Sequence, residues 1–179
     1  MTSIVSFPDL KAYLNLSKDT IDDYPALAVN VDLVHAALED YCGRYIGEEE
    51  INVEESYHEF DSTKIVNLKH LPITAINSFK VNDVEIDIGS YTVGKYGLVT
   101  RFDISDAHVY IDYDGGYEDI PTALYRAELI QIAYEYQTND HIGATDVSTD
   151  GGSVSTPAIG LLSTVKQLLN PYIHPSRLN

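Results

Sequence analysis

The chain has 179 residues, a hydrophobic fraction of 44% and a formal net charge of −17, from 28 acidic against 11 basic residues. That length and apolar content support one domain of ordinary size with a normal core, and they exclude disorder throughout. The charge excludes tight binding of DNA or RNA, because neutralising phosphates needs clustered Lys and Arg, and here they are scattered along the chain.

A folded chain of this size exposes roughly 9,000 Å². Net charges then stand farther apart than a Debye length of about 8 Å, so the fold tolerates them. No apolar run is long enough to span a membrane. The N-terminal stretch M-T-S-I-V-S-F-P-D lacks the basic region and apolar core of a secretory signal. The single cysteine, Cys42, excludes an internal disulfide and reads as a buried small hydrophobe.

In chain order, Phe7, Leu10, Tyr13 and Leu14 lie at helical spacing, with Pro8 and Asp9 in the first turn. This predicts a short helix over 8–14, followed by a polar loop over 15–24. Pro25 opens a second helix, with Asp22 and Asp23 near its positive end. Leu27, Val31, Val34, Leu38, Tyr41 and Tyr45 form its apolar stripe, and Gly47 is the expected stop.

Residues 48–55 are strongly acidic, and Tyr57 and Phe60 then mark an extended segment. Short β-rich runs follow at Ile65–Leu68, Ile73–Val81, Val84–Ile88, Tyr91–Val93 and Leu98–Phe102, each bounded by Gly, Asn, Asp or Pro. That pattern predicts an antiparallel meander over about 51–114. In H-V-Y-I-D-Y-D-G-G-Y-E-D-I-P, Val109, Ile111 and Tyr113 alternate with Tyr110, Asp112 and Asp114, the period of a strand with one buried face. Gly115 and Gly116 break the strand, and Pro121 opens a long helix.

That helix carries Ala123, Ala127, Ile130, Tyr134 and Gln137 on one side, with Leu124, Ile132 and Tyr136 outside the stripe. The apolar surface is wider than one core face needs, so either the helix is central or a second face meets another subunit. Residues 139–157 are rich in Gly, Ser, Thr and Asp and read as a flexible loop. Helical spacing returns over 159–169, and Pro171 and Pro175 leave 171–179 as an extended tail. The resulting fold class is α+β: a small bundle of about four helices with an inserted antiparallel β-meander. It is drawn as a single domain over 1–179, its helical frame at 6–47 and 121–170.

Chemistry is sparse. The six histidines include no pair at metal-ligand spacing, and no nucleophile elbow, phosphate loop or dinucleotide fingerprint occurs. The expectation is a protein with no catalytic residues, no cofactor and no enzymatic activity. A weak calcium candidate is the acidic turn with Asp112, Asp114 and Asp119, and the loop from Asp146 to Asp150 is weaker still. The simpler reading puts Asp112 and Asp114 on a solvent face and Glu118 and Asp119 before a helix N-terminus. Fourteen tyrosines stand against four phenylalanines and no tryptophan. Tyrosine combines contact area with a polar handle, so Tyr117, Tyr125, Tyr134, Tyr136 and Tyr172 are candidate interface residues.

Two segments carry a family resemblance. One is L-K-A-Y-L-N-L with V-D-L-V-H-A-A-L-E-D-Y-C-G-R-Y-I-G; the other is V-Y-I-D-Y-D-G-G-Y-E-D-I-P-T-A-L-Y-R-A-E-L-I-Q-I-A. Together they resemble the head–tail connector (adaptor, or head-completion) proteins of tailed bacteriophages. The matching positions are Tyr41, Cys42, Gly43 and Arg44, then Tyr113, Gly116, Tyr117, Ile120 and Pro121. The segment between Ile51 and Phe102 is longer than in the smallest members.

The resemblance implies a homo-oligomeric ring of about twelve copies beneath the portal protein, extending the DNA channel and docking a stopper or tail-completion protein. DNA would pass without specific binding, no membrane would be involved, and the protein would reside at the head–tail interface of a virion after synthesis in the bacterial host cytoplasm. Two alternatives stay open: another virion assembly protein, such as a tail-completion or terminator subunit, and a calcium- or ligand-binding acidic α+β module.

Overall fold

The computed structural model describes residues 3–60, 66–87, 92–93, 98–100, 107–138, 146–149, 152–155, 160–174 and 177. Contacts along the chain fall into two compact units. One comprises Met1–Leu38 with Pro121–Pro171, and the other Glu39–Ile120 with Tyr172–Asn179.

The first unit is built mainly on helices. Helix α1 spans Phe7–Leu14; the Ser6 side chain caps it by accepting the Asp9 N–H, and Asn15 closes it in the left-handed conformation. Helix α2 spans Pro25–Cys42 and buries Leu27, Val31, Val34 and Leu38 of the expected stripe together with His35 and Cys42, while Tyr41 is half-buried. It stops at Gly43, not Gly47. Gly43 takes φ +69, and its N–H bonds back to the Glu39 carbonyl at 2.8 Å, as a glycine just past a helix end does. Tyr45 continues the spacing by coincidence, beyond that stop.

Helix α3 spans Thr122–Thr138, and its buried face corrects the predicted one. Leu124, Ala127, Glu128, Gln131, Ile132 and Ala133 are buried, while Ala123, Ile130 and Tyr134 are half-buried and Gln137 is exposed. Two polar residues therefore lie inside. Glu128 accepts the Ser3 hydroxyl at 2.6 Å and stands 3.3 Å from His35 Nδ1. Gln131 accepts the Leu162 N–H at 3.0 Å and donates to Glu135 at 2.9 Å. The Leu162 bond fixes the entry to helix α4, Ser163–Leu169, which buries Val165 and Leu169.

Within 139–157, read from the sequence as a loop, strands β8 (Asp146–Thr149) and β9 (Gly152–Ser155) pair as an antiparallel hairpin. The sequence between them is Asp-Gly, the pair that two-residue hairpin loops favour, and Val147 faces Val154 in the register. The rest of that stretch lies outside the described residues.

The second unit holds the main sheet. Strands β1 (Glu50–Phe60), β3 (Ile73–Val81), β4 (Val84–Glu85) and β7 (Ala107–Gly115) are all antiparallel, in the order β1-β7-β3-β4. Strands β2 (Val66–Asn67), β5 (Thr92–Val93) and β6 (Leu98–Thr100) form a smaller antiparallel sheet. The α+β class and the antiparallel pairing match the sequence reading, but the main sheet is not a consecutive meander. β7 lies between β1 and β3, and every second residue along it is buried, as suits a strand with neighbours on both edges. Val53, Leu68, Phe79, Ala107, Val109, Ile111 and Tyr113 form the core, with Ile73, Ile76, Val81 and Ile86 packed against them.

Candidate functional site

The strand-to-helix turn singled out in the sequence is laced to neighbouring segments of the second unit by backbone bonds. β7 ends at Gly115, where a Cβ would collide with the His70 carbonyl oxygen. Gly116 takes φ +122, and a Cβ there would lie 2.5 Å from the Glu48 carbonyl oxygen. Glycine is therefore required twice, for close backbone approach and for backbone angle. Through the gap pass four backbone bonds: Gly116 N–H to Pro72 O at 3.0 Å, Tyr117 N–H to Gly47 O at 3.1 Å, Glu49 N–H to Tyr117 O at 2.9 Å, and Tyr45 N–H to Lys69 O at 3.0 Å.

Arg44 closes this clasp with its side chain. Its guanidinium donates to the Leu71 carbonyl and to the Tyr117 hydroxyl, the latter at 2.7 Å, and lies 5.1 Å from the Tyr117 ring centroid. A planar donor fork suits such a double role, which a lysine could not repeat. Burial pushes the Tyr117 phenol above its ordinary value, and the Arg44 charge opposes that rise. Three of the positions that carry the resemblance, Arg44, Gly116 and Tyr117, thus meet in one place.

Beside the clasp, Tyr45 stacks on His70 with ring centroids 4.2 Å apart. The Tyr113 hydroxyl donates to Glu55 and accepts the His70 N–H at 3.1 Å. Burial and the Glu55 carboxylate together keep that phenol protonated. A polar cleft of about 370 Å³ lies here, lined by Val53, Glu54, Glu55, Ser56, Lys69 and His70. Glu55 is engaged on both sides, since it also accepts the Lys69 N–H at 3.0 Å.

In the acidic turn, Asp112 and Asp114 are tied to neighbouring amide groups. Asn77 Nδ2 donates to Asp112 at 3.2 Å and to Asp114 at 2.8 Å, so the two carboxylates share an amide. The Asn52 N–H donates to Asp114 at 2.9 Å, and these bonds hold its carboxyl below the usual carboxylate range. Asp119 lies exposed beyond the turn. Among the described residues no group of three or more His, Cys, Asp or Glu side chains is placed to hold a metal ion. Asp146 lies in β8, and Asp150 is outside the described residues.

The five tyrosines proposed for an interface, Tyr117, Tyr125, Tyr134, Tyr136 and Tyr172, are all half-buried. Tyr125 is tied within its own unit to Asp9, and its phenol is pushed up to about 12 by burial and that hydrogen bond. Among the described residues the large apolar side chains most open to solvent are Tyr13, Val29, Leu33, Ile51 and Val84, so Tyr13, at helical spacing with Leu10 in the sequence, lies outside the buried face of α1. Val29 and Leu33 sit on α2 opposite its buried stripe, so the helix is apolar on two sides; reading one stripe hides the other. Among the described residues no helix is long and apolar enough to cross a membrane.

An antiparallel sheet with a Gly-Gly turn feeding a long helix defines an α+β protein. No protein-family model matches the sequence, and no curated protein's sequence matches it significantly. The fold is similar to that of a chain in the neck of an empty gene transfer agent (GTA) particle computed with C6 symmetry. The TM-score is 0.54 at 15% identity, covering 92% of this chain and 87% of that one. A chain of the virion of the native gene transfer agent particle is similar at TM-score 0.54 and 13% identity, with the same coverage.

Proposed function

We propose that this chain is a structural subunit of the neck of a phage-like particle, acting as a head–tail connector (adaptor). The observation that carries the reading is the likeness of fold, over 92% of the chain, to a chain of a gene transfer agent neck. Arg44, Gly116 and Tyr117, built into the clasp, support it, because a rigid junction keeps a subunit's parts in fixed register under load. The subunit forms an oligomeric ring beneath the portal, extends the DNA channel and docks the stopper or tail-completion protein. Closed rotational symmetry is what such a ring requires; twelve copies would be a multiple of the six-fold symmetry under which that neck was computed. At −17 per chain, a ring repels phosphate, so DNA passes without binding. The role needs no cofactor, membrane or catalysis, and it places the protein at the head–tail interface of the virion after synthesis in the host cytoplasm.

Light scattering tests this, with the protein alone and then mixed with capsids lacking their neck. A ring, or a monomer that binds those capsids and restores tail attachment, is the expected result. A stable monomer that ignores the capsids overturns the reading.

A further inference from the structure

Strand β1 stands at one edge of the main sheet. It pairs with β7, and among the described residues no strand pairs with its other side. Its register with β7 is unbroken from Val53 to Tyr57, between irregularities at Glu50/Val53 and Tyr57/Phe60. A regular edge offers unpaired N–H and C=O groups to an extended segment, whereas a bulged one turns them away. The opposite edge strand, β4, has only the two residues Val84 and Glu85. The end of α2, by contrast, is filled from within the chain. There the His174 N–H donates to the Cys42 carbonyl at 2.7 Å and the Arg177 guanidinium to the Asp40 carbonyl, so these two residues do not trail as the extended tail that the prolines imply.

The polar cleft opens on the β1 edge. Successive side chains of a strand point to opposite faces, so a cleft on one face is lined by every second residue. This cleft is lined by Val53, Glu54, Glu55 and Ser56 in succession, together with Lys69 and His70. It therefore runs along the edge, over the regular stretch. The backbone of Lys69 and His70 pairs with Tyr45 and meets β1 through the Glu55 side chain, which leaves the strand's own backbone edge unpaired by it.

The two faces beside this edge differ in chemistry. On the solvent face Glu54 lies opposite Asp112 in the register, and the Tyr110 hydroxyl donates to Glu54. Like charges directly opposite each other repel, and a basic residue on an added strand relieves them. The cation nearest in the register, Lys80, stands on β3, on the far side of β7. On the other face Val53 is buried, and Glu55 is already satisfied by the Tyr113 hydroxyl and the Lys69 N–H, so this side favours an apolar neighbour. His70 Nδ1, in the same cleft, is buried without a hydrogen-bond partner among the described residues.

We propose that the edge of β1 over Val53–Tyr57 is a strand-addition site for an extended segment of a partner protein in which basic and apolar residues alternate. Backbone pairing supplies the attachment, and the carboxylates on the solvent face select the basic positions. A second copy of this chain does not fit, because no two of its Lys and Arg residues stand at alternate positions. The inference goes beyond the ring reading and holds whether or not the chain assembles.

Peptide binding to the full-length chain, followed by fluorescence anisotropy, tests the site. The probe is a labelled peptide of about ten residues, the length of a long strand, alternating Lys and Val. Two controls accompany it: the Glu–Val counterpart, and the Lys–Val peptide methylated at every backbone nitrogen. The probe is expected to bind at least tenfold more tightly than either control. Ser56→Lys, which sets a charge on the exposed edge, should weaken it at least tenfold, and Glu54→Gln should weaken it less. Val84→Lys, on the opposite edge, should leave it unchanged, and the unfolding midpoint checks that each variant folds. Equal binding of the methylated peptide overturns strand addition, and equal binding of the Glu–Val peptide overturns the basic partner. Failure of every peptide to bind overturns the proposal; self-association that Ser56→Lys then abolishes would give the edge to a second copy. Loss of peptide binding leaves the ring reading standing, since attachment to capsids lacking their neck is measured separately by light scattering.

Discussion

Along β7 every second residue from Ala107 to Gly115 is buried, and each buried side chain is apolar, aromatic or absent. Along α3 the buried face reads Leu124, Ala127, Glu128, Gln131, Ile132 and Ala133. In the strand, a period of two separates apolar from polar, so the core face is written in the chain itself. In the helix, two of the innermost residues are polar. They are tolerated because Ser3, His35 and Leu162 satisfy them, and these partners lie 125, 93 and 31 residues away. A buried polar group is specified by its partner, and a partner distant in sequence leaves no local pattern.

The largest expected effect tests the strand side of this comparison. Ile111→Ala should cost about 2–5 kcal/mol in chemical denaturation, through lost burial and a residual cavity. Tyr110→Ala, one residue away on the opposite face, should cost less than about 1 kcal/mol. Equal losses would break the claim that alternation alone places the core face.

On the helix side, Glu128→Ala removes the buried acceptor of the Ser3 hydroxyl and the carboxylate beside His35, and should cost about 3 kcal/mol. Glu128→Gln keeps an acceptor oxygen for Ser3 and should cost less. If Glu128→Leu is as stable as the wild type, the polar face is not held by those bonds and the contrast with β7 disappears.

Cys42 sharpens the comparison through pH. Burial pushes its thiol up to about 11 against an ordinary value of 9.0, with the Arg44 and Arg177 charges opposing the rise. The unfolded chain therefore loses this proton first. The stabilisation is complete below about pH 9 and is lost as pH climbs to about 11, on the order of 2 kcal/mol in all. Denaturation of the wild type and Cys42→Ala at about pH 8 and about pH 11 should show their stability difference shrinking at the higher pH; a constant difference would mean the thiol does not titrate out of the core.

Smaller effects are expected at the clasp and the acidic face. Arg44→Lys should cost about 1–2 kcal/mol, because an ammonium group cannot serve the Leu71 carbonyl and the Tyr117 hydroxyl in the same geometry. Full stability in that variant would show that backbone bonds alone hold the junction. Asn77→Ala should cost less than about 1 kcal/mol and let the Asp114 carboxyl rise toward its ordinary value, read by NMR titration. No movement of that titration would mean the shared amide is not what holds it.

Much of the fold is legible in the amino-acid sequence. Pro8, Pro25 and Pro121 mark helix starts to within a residue, because proline fixes φ and donates nothing. Ile73–Val81 and the strand ending at Gly115 emerge from β-branched content and alternation. The stop of α2 is ambiguous because Gly43 and Gly47 are equal candidates by residue type, and only the backbone bonds to Glu39 and Asp40 choose between them. The hairpin within 139–157 is hidden among small polar residues that turns and edge strands share. At the candidate site, Gly116, Tyr117 and Arg44 stand out as motif positions. That Arg44 reaches both Leu71 and Tyr117, and that Asn77 bridges Asp112 and Asp114, is not visible, since each bond joins residues 27 to 73 positions apart.

The helices, the central strand, the acidic charge and the glycine turn follow from amino-acid order alone, because periodicity, proline, glycine and charge act locally or in sum. The strand order β1-β7-β3-β4, the polar lining of α3 and the seat of His174 and Arg177 on the end of α2 do not. Each of these depends on which distant group supplies a missing hydrogen bond or fills an open edge, and that choice is made by packing in three dimensions.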